Sequence, residues 1–268
     1  MTRDIDVFAQ VAEKMLSASR PIARDNFRSR LLVERKSDQS PVTRADRMIE
    51  TAMKAVLERE LPTHGILGEE HGAHGLDTRY VWVIDPIDGT KSFISGVPLF
   101  GTLIALLDHG VPILGVIDMP MLGECWNAQT GHGAFFGQEK CQTCAVTKLE
   151  DAILFATSPD QFKGTDIAIF DLLAKSCVDR RFGGDCYSYG LLASGHIDLI
   201  LEADLQPYDF MALVPVVTEA GGVITDWEGN ALTLSSSGRV LAAATPELHQ
   251  MALAKITDVR RSLQNKVA

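Results

Sequence analysis

Two carboxylates three residues apart directly follow an apolar segment of the chain. Residues 82–84 have the pattern of a buried strand, which we expect to end at Asp85. Asp88 lies in the following turn, where Pro86 fixes φ and Gly89 permits backbone conformations that a β-carbon opposes. Two carboxylates in a tight turn repel each other and lose hydration unless a cation lies between them. The turn therefore indicates a cation site, and an ordinary Asp-Pro turn is the alternative.

The residues after this turn are suited to binding an anion. Gly89, Thr90 and Lys91 lead into a possible short helix, whose free N–H groups and dipole would favour a phosphate. A cation site beside an anion site indicates phosphate chemistry.

Further acids follow apolar segments or open helices elsewhere in the chain. Glu69 and Glu70 follow the strand-like residues 65–68, as Asp85 follows its strand, although adjacent glutamates also occur at solvated edges. Asp46 lies at the start of an amphipathic helix and Asp209 precedes an apolar one, so each has helix capping as its alternative role.

Histidines and cysteines are not needed for this chemistry. His71 and His74 flank a glycine-rich loop and are interpreted as loop residues, because the other candidate ligands are all oxygen. The cysteine count is odd, at five, and no secretory signal is evident, which favours reduced thiols. Cys141 and Cys144 form a lone CxxC pair among β-like segments, so we interpret them as structural or incidental thiols.

Composition limits the possible partners. The net charge is −10 and no basic run is present, which argues against nucleic-acid and anionic-membrane partners. The N-terminal segment carries acids and lacks a continuous apolar core, so it predicts neither a signal peptide nor a membrane span. We therefore expect a cytoplasmic protein.

The elements that position these residues differ between the two halves of the chain. In the first half we predict an amphipathic helix over residues 5–33, a break at 37–41 and a second helix ending near 61, with antiparallel strands continuing to about 150. These strands are predicted at 65–68, 82–84, 99–107, 111–119, 124–128 and 133–137.

The second half alternates strands and helices. Strands are predicted at 153–156, 197–201 and 223–227, and helices at 167–175, 185–194 and 210–220. No linker or repeat separates the halves, so we expect a single domain over residues 1–268, with subdomains at about 1–150 and 151–268 that share an extensive interface.

Three segments together resemble the signature motifs of the inositol monophosphatase family. They are GEE at 68–70, DPIDGT at 85–90, and PYD at 207–209 followed by AGG at 220–222. The resemblance implies a mixed α/β fold, layered as an αβαβα sandwich, that usually forms a homodimer. It also implies Mg²⁺-dependent hydrolysis of a phosphate monoester by direct attack of a metal-activated water.

The resemblance also assigns roles to individual residues. Asp46 and Thr90 would orient and deprotonate the attacking water, and the amides of Gly89 and Thr90 would hold the phosphate. Two or three Mg²⁺ ions are implied, and Mn²⁺ would also suit all-oxygen ligands. The metal ligands would be Glu69, Asp85 and the carbonyl of Ile87 for one ion, and Asp85, Asp88 and Asp209 for a second.

A narrower resemblance concerns the substrate. The sequence around Asp209 and the segment RFGGDCYSYGLLASG at 181–195 look like the histidinol-phosphate phosphatase branch of the family. Asp185 and Glu202 would then lie beside the leaving alcohol, where acids suit the ammonium and imidazole of histidinol. Alternatively, Asp185 caps a helix and Glu202 binds any hydroxyl. Arg181 would bind substrate in its own site or in a partner subunit's.

The predicted reaction is therefore the hydrolysis of L-histidinol phosphate to L-histidinol and phosphate, a step of histidine biosynthesis. Inositol-1-monophosphatase or broad-specificity phosphatase activity is the alternative within the family. A non-catalytic regulator that binds metal or phosphate is the alternative from another class.

Overall fold

The computed structural model describes residues 2–29, 33–35 and 41–267. Its helices are α1 (Thr2–Asn26), α2 (Arg44–Glu60), α3 (Thr90–Ile94), α4 (Thr165–Ala174), α5 (Cys186–Ala193), α6 (Pro207–Phe210), α7 (Leu213–Glu219) and α8 (Pro246–Val267), with short 3₁₀ turns at Leu149–Asp151 and Pro159–Gln161. Across these ranges, no helix is long and apolar enough to cross a lipid bilayer.

The strands form two large sheets and one small ribbon. The ribbon pairs β1 (Val33–Arg35) with β2 (Pro41–Thr43). The first large sheet contains β3 (Gly65–Gly68), β4 (Gly72–His74), β5 (Tyr80–Asp88), β6 (Gly101–Asp108), β7 (Val111–Met119), β8 (Glu124–Gln129), β9 (Gly133–Phe136) and β10 (Glu139–Lys140). The second contains β11 (Ile153–Ala156), β12 (Asp179–Phe182), β13 (Leu199–Glu202), β14 (Val223–Asp226) and β15 (Val240–Ala243).

Side-chain alternation along the strands places helices on both faces of each sheet. On β5, Trp82 and Ile84 pack against α1 and α2, whereas Val81 and Val83 point to the opposite face. That opposite face is covered by α5, α6 and α7, and α5 and α7 also contact one face of the second sheet. On β13, Leu199 and Leu201 point away from this middle layer and pack against α4 and α8.

The layers therefore run helix, sheet, helix, sheet, helix, as the predicted αβαβα sandwich requires. The strand order is β10-β9-β8-β7-β6-β5-β3-β4 in the eight-stranded sheet and β12-β11-β13-β15-β14 in the five-stranded sheet. The first sheet is antiparallel except where β3 pairs parallel with β5, so the ends of these two strands lie side by side. The predicted division at about residue 150 stays a proposal.

The central strand is longer than the sequence predicts. We expected it to stop at Asp85, but β5 continues to Asp88 with one extra residue opposite β6, because Asp85 pairs with Leu103 and Asp88 with Gly101. Such a β-bulge redirects the side chains next to it. The bulge thus turns the predicted Asp-Pro turn into a kink within a paired strand.

Two helix predictions were wrong in their bounds. The first helix ends at Asn26 instead of reaching residue 33, and the predicted break at 37–41 lies largely outside the described residues. The predicted helix over 210–220 is divided into α6 and α7. Pro215 explains the division, because it has no N–H for the Met211 carbonyl and its ring crowds that carbonyl.

Other elements were not predicted. They are β1, β2, β4, β10, β12, β15 and the C-terminal helix α8. For α8 the signal was present, since Leu248, Ala252, Ile256 and Val259 recur at helical spacing after Pro246.

Candidate active site

Three of the predicted metal ligands form one carboxylate cluster. Asp85, Asp88 and Asp209 each offer an oxygen, and these oxygens all lie within 4.8 Å of one another. It is the one cluster of metal-ligating side chains among the described residues. Asp85 and Asp88 flank the bulge of β5, and Asp209 opens α6 in the middle helical layer. The site therefore forms where the first sheet meets that layer.

The carboxylates of this cluster disfavour one another's ionisation. Burial raises the pKa of Asp85 well above its usual value, and the charges of Glu69, Asp88 and Asp209 raise it further. Burial and Asp88 likewise raise the pKa of Asp209, while burial raises the pKa of Asp88. A bound cation would reverse these shifts. The all-oxygen donor set fits a hard divalent cation.

Backbone amides orient two carboxylates of the cluster. The N–H of Cys186 donates to Oδ2 of Asp88 at 2.6 Å, and the N–H of Gln206 donates to Oδ2 of Asp209 at 2.6 Å. The second contact belongs to a capping box at the start of α6. Capping and metal binding are therefore compatible at Asp209, since the capping contact uses Oδ2 alone.

Asp46 likewise combines a structural contact with a spare oxygen. Its Oδ2 accepts hydrogen bonds from the N–H of Thr43 at 2.9 Å and from the Thr43 hydroxyl at 2.6 Å, which completes a capping box on α2. Its Oδ1 is buried and has no hydrogen-bond partner among the described residues. Burial raises the pKa of Asp46. Because Oδ1 is held in place without a partner, it is available as a proton acceptor.

The predicted pairing of Asp46 with Thr90 is not a direct contact. The Thr90 hydroxyl donates instead to the carbonyl of Ile87 at 3.2 Å, and no hydrogen bond joins Thr90 to Asp46 in the described part of the chain. The predicted joint role of Asp46 and Thr90 in orienting and deprotonating the attacking water stays a prediction.

Gly89 lies where the central turn meets α5. Its φ of 88° belongs to the left-handed region, and a β-carbon there would lie 3.0 Å from Oδ2 of Asp185 and 3.2 Å from the carbonyl oxygen of Leu99. Thr90 opens the short helix α3, as the sequence indicated. The turn and Asp185 are therefore in close contact.

Asp185 begins α5 without capping it through its side chain. It occupies the N-cap position but makes no side-chain capping bond, and Oδ2 accepts a 3.2 Å hydrogen bond from the Ser92 hydroxyl. Burial and the charge of Asp88 raise the pKa of Asp185 to about 7.

Glu202 is the second acid that was predicted to bind the substrate. Its Oε1 accepts hydrogen bonds from Thr157, at 2.8 Å from the N–H and 2.9 Å from the hydroxyl. Its Oε2 is buried and has no partner among the described residues. Burial raises the pKa of Glu202 to about 8.

Most of these groups line one cavity of about 450 Å³, whereas Asp46, Asp85 and Ile87 are not among its lining residues. The cavity connects the carboxylate cluster and the turn after β5 with a wall of polar side chains from the second half. Its lining comprises Glu69, Asp88, Gly89, Thr90, Lys91, Ser92, Thr157, Ser158, Gln161, Gly183, Asp185, Cys186, Tyr189, Glu202, Asp204, Leu205, Asp209 and Leu213. Three predicted ligands, Glu69, Asp88 and Asp209, thus line the same cavity as both predicted substrate acids.

Arg181 is placed elsewhere in this chain. It lies exposed on the edge strand β12, with its guanidinium 6.0 Å from the centre of the Phe155 ring, and it does not line the cavity.

His71 and His74 are also outside the cavity lining, and His74 lies in β4 instead of a loop. The cysteines are free thiols, and Cys144 donates to Oδ1 of Asp198 at 2.8 Å.

Several site residues were missed because only the tertiary structure brings them together. Glu50 on α2 accepts hydrogen bonds from the N–H groups that follow Glu69, and Thr43 orients Asp46. The T-x-x-D spacing of a capping box could have identified Thr43. Thr157 and Tyr189 carry no local signal of a site.

Comparison with known proteins agrees with this geometry. The model of the inositol monophosphatase family matches residues 4–261. The chain is 44% identical over 259 residues to the bifunctional phosphatase IMPL2, chloroplastic, of Arabidopsis thaliana, covering 93% of this chain and 75% of that protein. It is 35% identical over 251 residues to a histidinol-phosphatase of Chlorobaculum parvum, covering 90% of this chain and 93% of that protein.

A solved structure shares the fold at similar identity. The inositol monophosphatase from Zymomonas mobilis superposes with a TM-score of 0.87 at 42% identity, covering 96% of this chain and 99% of that chain. Together with the family match, this similarity leads to one assignment. The chain belongs to the inositol monophosphatase family and is a phosphatase.

Proposed function

We propose that this phosphatase hydrolyses L-histidinol phosphate to L-histidinol and phosphate, with Mg²⁺ as its metal ion. The observation that carries the proposal is the pair of acids, Asp185 and Glu202, on the cavity wall beyond the carboxylate cluster. Their raised pKa values mean that a negative charge there is poorly compensated within the protein. A cationic leaving alcohol would supply the missing compensation.

The position of Asp185 supports pairing with the substrate's ammonium. Asp185 touches the turn at Gly89, whose amide is proposed to bind the phosphate together with that of Thr90. In histidinol phosphate the ammonium is only two carbons from the phosphate ester oxygen. An acid adjacent to the phosphate site therefore lies within reach of that ammonium.

The carboxylates of Glu69, Asp85, Asp88 and Asp209, with the carbonyl of Ile87, would hold the metal ions. When bound, such ions neutralise phosphate charge and acidify water, and Mn²⁺ would fit the same oxygens. The protein's own contribution to proton transfer would come from Asp46, whose free Oδ1 accepts a proton from the attacking water with Thr90 orienting it. Water attacks phosphorus, the bond to the alcohol oxygen breaks, and that oxygen takes up a proton.

Other parts of the proposal rest on the sequence and on the family. A homodimer and a cytoplasmic location stay predictions, and so does a substrate contact from Arg181. Because Arg181 is exposed and away from the cavity of its own chain, a role for it would require the site of a partner subunit.

Phosphate release by the purified protein with Mg²⁺ tests the assignment. We expect L-histidinol phosphate to exceed myo-inositol 1-phosphate in kcat/KM by about a hundredfold or more, which corresponds to about 2.7 kcal/mol. Equal or reversed preference would exclude histidinol phosphate as the main substrate and favour inositol-1-monophosphatase or broad-specificity activity. The similarity of this chain to the inositol monophosphatase from Zymomonas mobilis makes that comparison necessary.

One variant, Asp88→Asn, separates a catalyst from a metal- or phosphate-binding regulator. Asp88→Asn should lower turnover at saturating Mg²⁺ by at least about 100-fold if the cluster serves catalysis. Wild-type protein that binds Mg²⁺ but releases no phosphate from any tested ester would support the regulator.

A further inference from the structure

Tyr189 places a polar atom inside the cavity without giving it a partner. The residue is 2% exposed, and its hydroxyl is fully buried with no hydrogen-bond partner among the described residues. A buried hydroxyl without a partner costs stability, so proteins rarely retain one unless it serves another purpose. Tyr189 is one of the residues that line the active-site cavity.

The free Oε2 of Glu202 is a second atom of this kind in the same cavity. Thr157 fixes the other oxygen of this carboxylate through two hydrogen bonds, so the direction of Oε2 is set by the protein. Burial raises the pKa of Tyr189 well above its usual value, and the charge of Glu202 is the next cause. Tyr189 therefore keeps its proton and remains a donor, while Oε2 of Glu202 is an acceptor when that carboxyl is ionised.

Tyr189 and Glu202 line the same cavity as Asp185. Tyr189 lies on α5, and Asp185 is the N-cap residue of the same helix. Glu202 ends β13, which packs against α5. Leu213 adds an apolar contact surface to the same cavity.

This set of groups matches one feature of the proposed substrate, and the inference rests on that proposed function. A neutral imidazole has one nitrogen that accepts a hydrogen bond and one that donates. We propose that Tyr189 is a specificity-determining residue, whose hydroxyl donates to the acceptor nitrogen of the substrate's imidazole while Oε2 of Glu202 accepts from its N–H.

The Tyr189→Phe variant tests the role of the hydroxyl, because it removes only that group. Its kinetics should be compared on L-histidinol phosphate and on L-phenylalaninol phosphate, whose ring lacks both nitrogens. We expect kcat/KM for L-histidinol phosphate to fall about tenfold or more, and kcat/KM for L-phenylalaninol phosphate to stay within about twofold. Inhibition by the product L-histidinol should weaken to a similar extent, which gives a readout without turnover.

A matched control exists on the same helix. Tyr187 is half-buried, lies outside the active-site cavity and has Glu124 as a hydrogen-bonding partner, so Tyr187→Phe should leave both substrates unaffected. The melting temperature of Tyr189→Phe should equal or exceed that of the wild type, because the variant removes an unpartnered buried hydroxyl.

The outcomes separate this inference from the proposed function. If the wild type prefers L-histidinol phosphate and Tyr189→Phe leaves that preference unchanged, or lowers activity on both substrates equally, the role of Tyr189 is refuted and the proposed function stands. If the wild type shows no preference for L-histidinol phosphate over myo-inositol 1-phosphate, the proposed function fails and this inference fails with it.

Discussion

The backbone N–H of Glu70 donates a 2.7 Å hydrogen bond to Oε2 of Glu50, whose side chain is completely buried on α2. The N–H of His71 donates to Oε1 of the same carboxylate at 3.0 Å. A β-carbon on Gly68 would lie only 2.0 Å from that Oε1. Glu50 therefore fixes the turn after β3, which carries the proposed metal ligand Glu69.

Replacing Glu50 with Gln should weaken this turn. The amide NH₂ would face a backbone N–H, so one of the two hydrogen bonds is lost and two donors oppose each other. We expect the free energy of unfolding to fall by about 1–3 kcal/mol and Mg²⁺ to bind more weakly. Urea unfolding and a Mg²⁺ titration measure the two effects. Glu58→Gln, at an exposed position of the same helix, should change neither quantity. Wild-type values for Glu50→Gln would contradict the role assigned to Glu50.

Replacing Asp209 with Asn should have opposite effects with and without metal. In a chelator the variant should melt at a higher temperature than the wild type, because one charge leaves a cluster whose oxygens lie within 4.8 Å. With Mg²⁺ at about 100 times its dissociation constant the wild type should gain about 2.7 kcal/mol, and the variant less. Melting temperatures measured in chelator and in Mg²⁺ test both effects, and Asp160→Asn at an exposed position serves as the control. A lower melting temperature of Asp209→Asn in chelator would show that repulsion within the cluster is unimportant.

Protonation of His64 should destabilise the fold at mildly acidic pH. Its Nδ1 accepts a 3.1 Å hydrogen bond from the indole N–H of Trp82, and burial lowers its pKa. The stabilisation is therefore present above the ordinary histidine pKa of about 6.5 and is lost as the pH falls through the lowered value in the folded state. The free energy of unfolding should decrease with falling pH, by at most about 1.4 kcal/mol per pH unit for this one proton.

The variant His64→Asn tests that origin, because the Asn side-chain oxygen can replace Nδ1 as the acceptor for Trp82. Urea unfolding at several pH values should show a shallower decrease for the variant. Some dependence should remain, since burial also lowers the pKa of His249. The exposed His132→Asn serves as the control. An unchanged slope in His64→Asn would refute the assignment.

The cysteine thiols should react slowly in the folded protein. Burial raises the pKa of Cys125 to about 12 and those of Cys144 and Cys177 to about 11, which leaves little thiolate at ordinary pH. A thiol reagent should therefore modify the native protein far more slowly than the denatured one. All five cysteines should react after denaturation without a reductant, because none is in a disulfide. Detection of only three reactive thiols after denaturation would indicate a disulfide, and Cys141 and Cys144 would be the first pair to examine.

The central motif was predictable because its chemistry is local. Asp85, Asp88 and Gly89 lie within one turn of chain, and proline and glycine limit its conformations. The αβαβα arrangement could be predicted from the resemblance to a family and not from periodicity, since the pattern of strands and helices does not specify which faces meet. The bulge in β5 was missed because it depends on pairing with β6.

The substrate side of the site was only partly predictable. Asp185 and Glu202 could be proposed from the motif spacing, but the contact between Asp185 and the Gly89 turn joins residues far apart in the sequence. Thr157 and Tyr189 are ordinary strand-end and helix residues until the fold brings them to Glu202. Sequence periodicity reports which residues are buried, and it does not report which buried polar atoms lack partners.

The carboxylate cluster draws on both halves of the chain. Asp85 and Asp88 come from the eight-stranded sheet, whereas Asp209 lies on α6, shortly after β13 of the five-stranded sheet. An ion held by all three would tie the two sheets together as a noncovalent crosslink. Two fragments cut between β10 and β11 would accordingly depend on a divalent cation for complementation, and the metal would be an assembly factor as well as a cofactor.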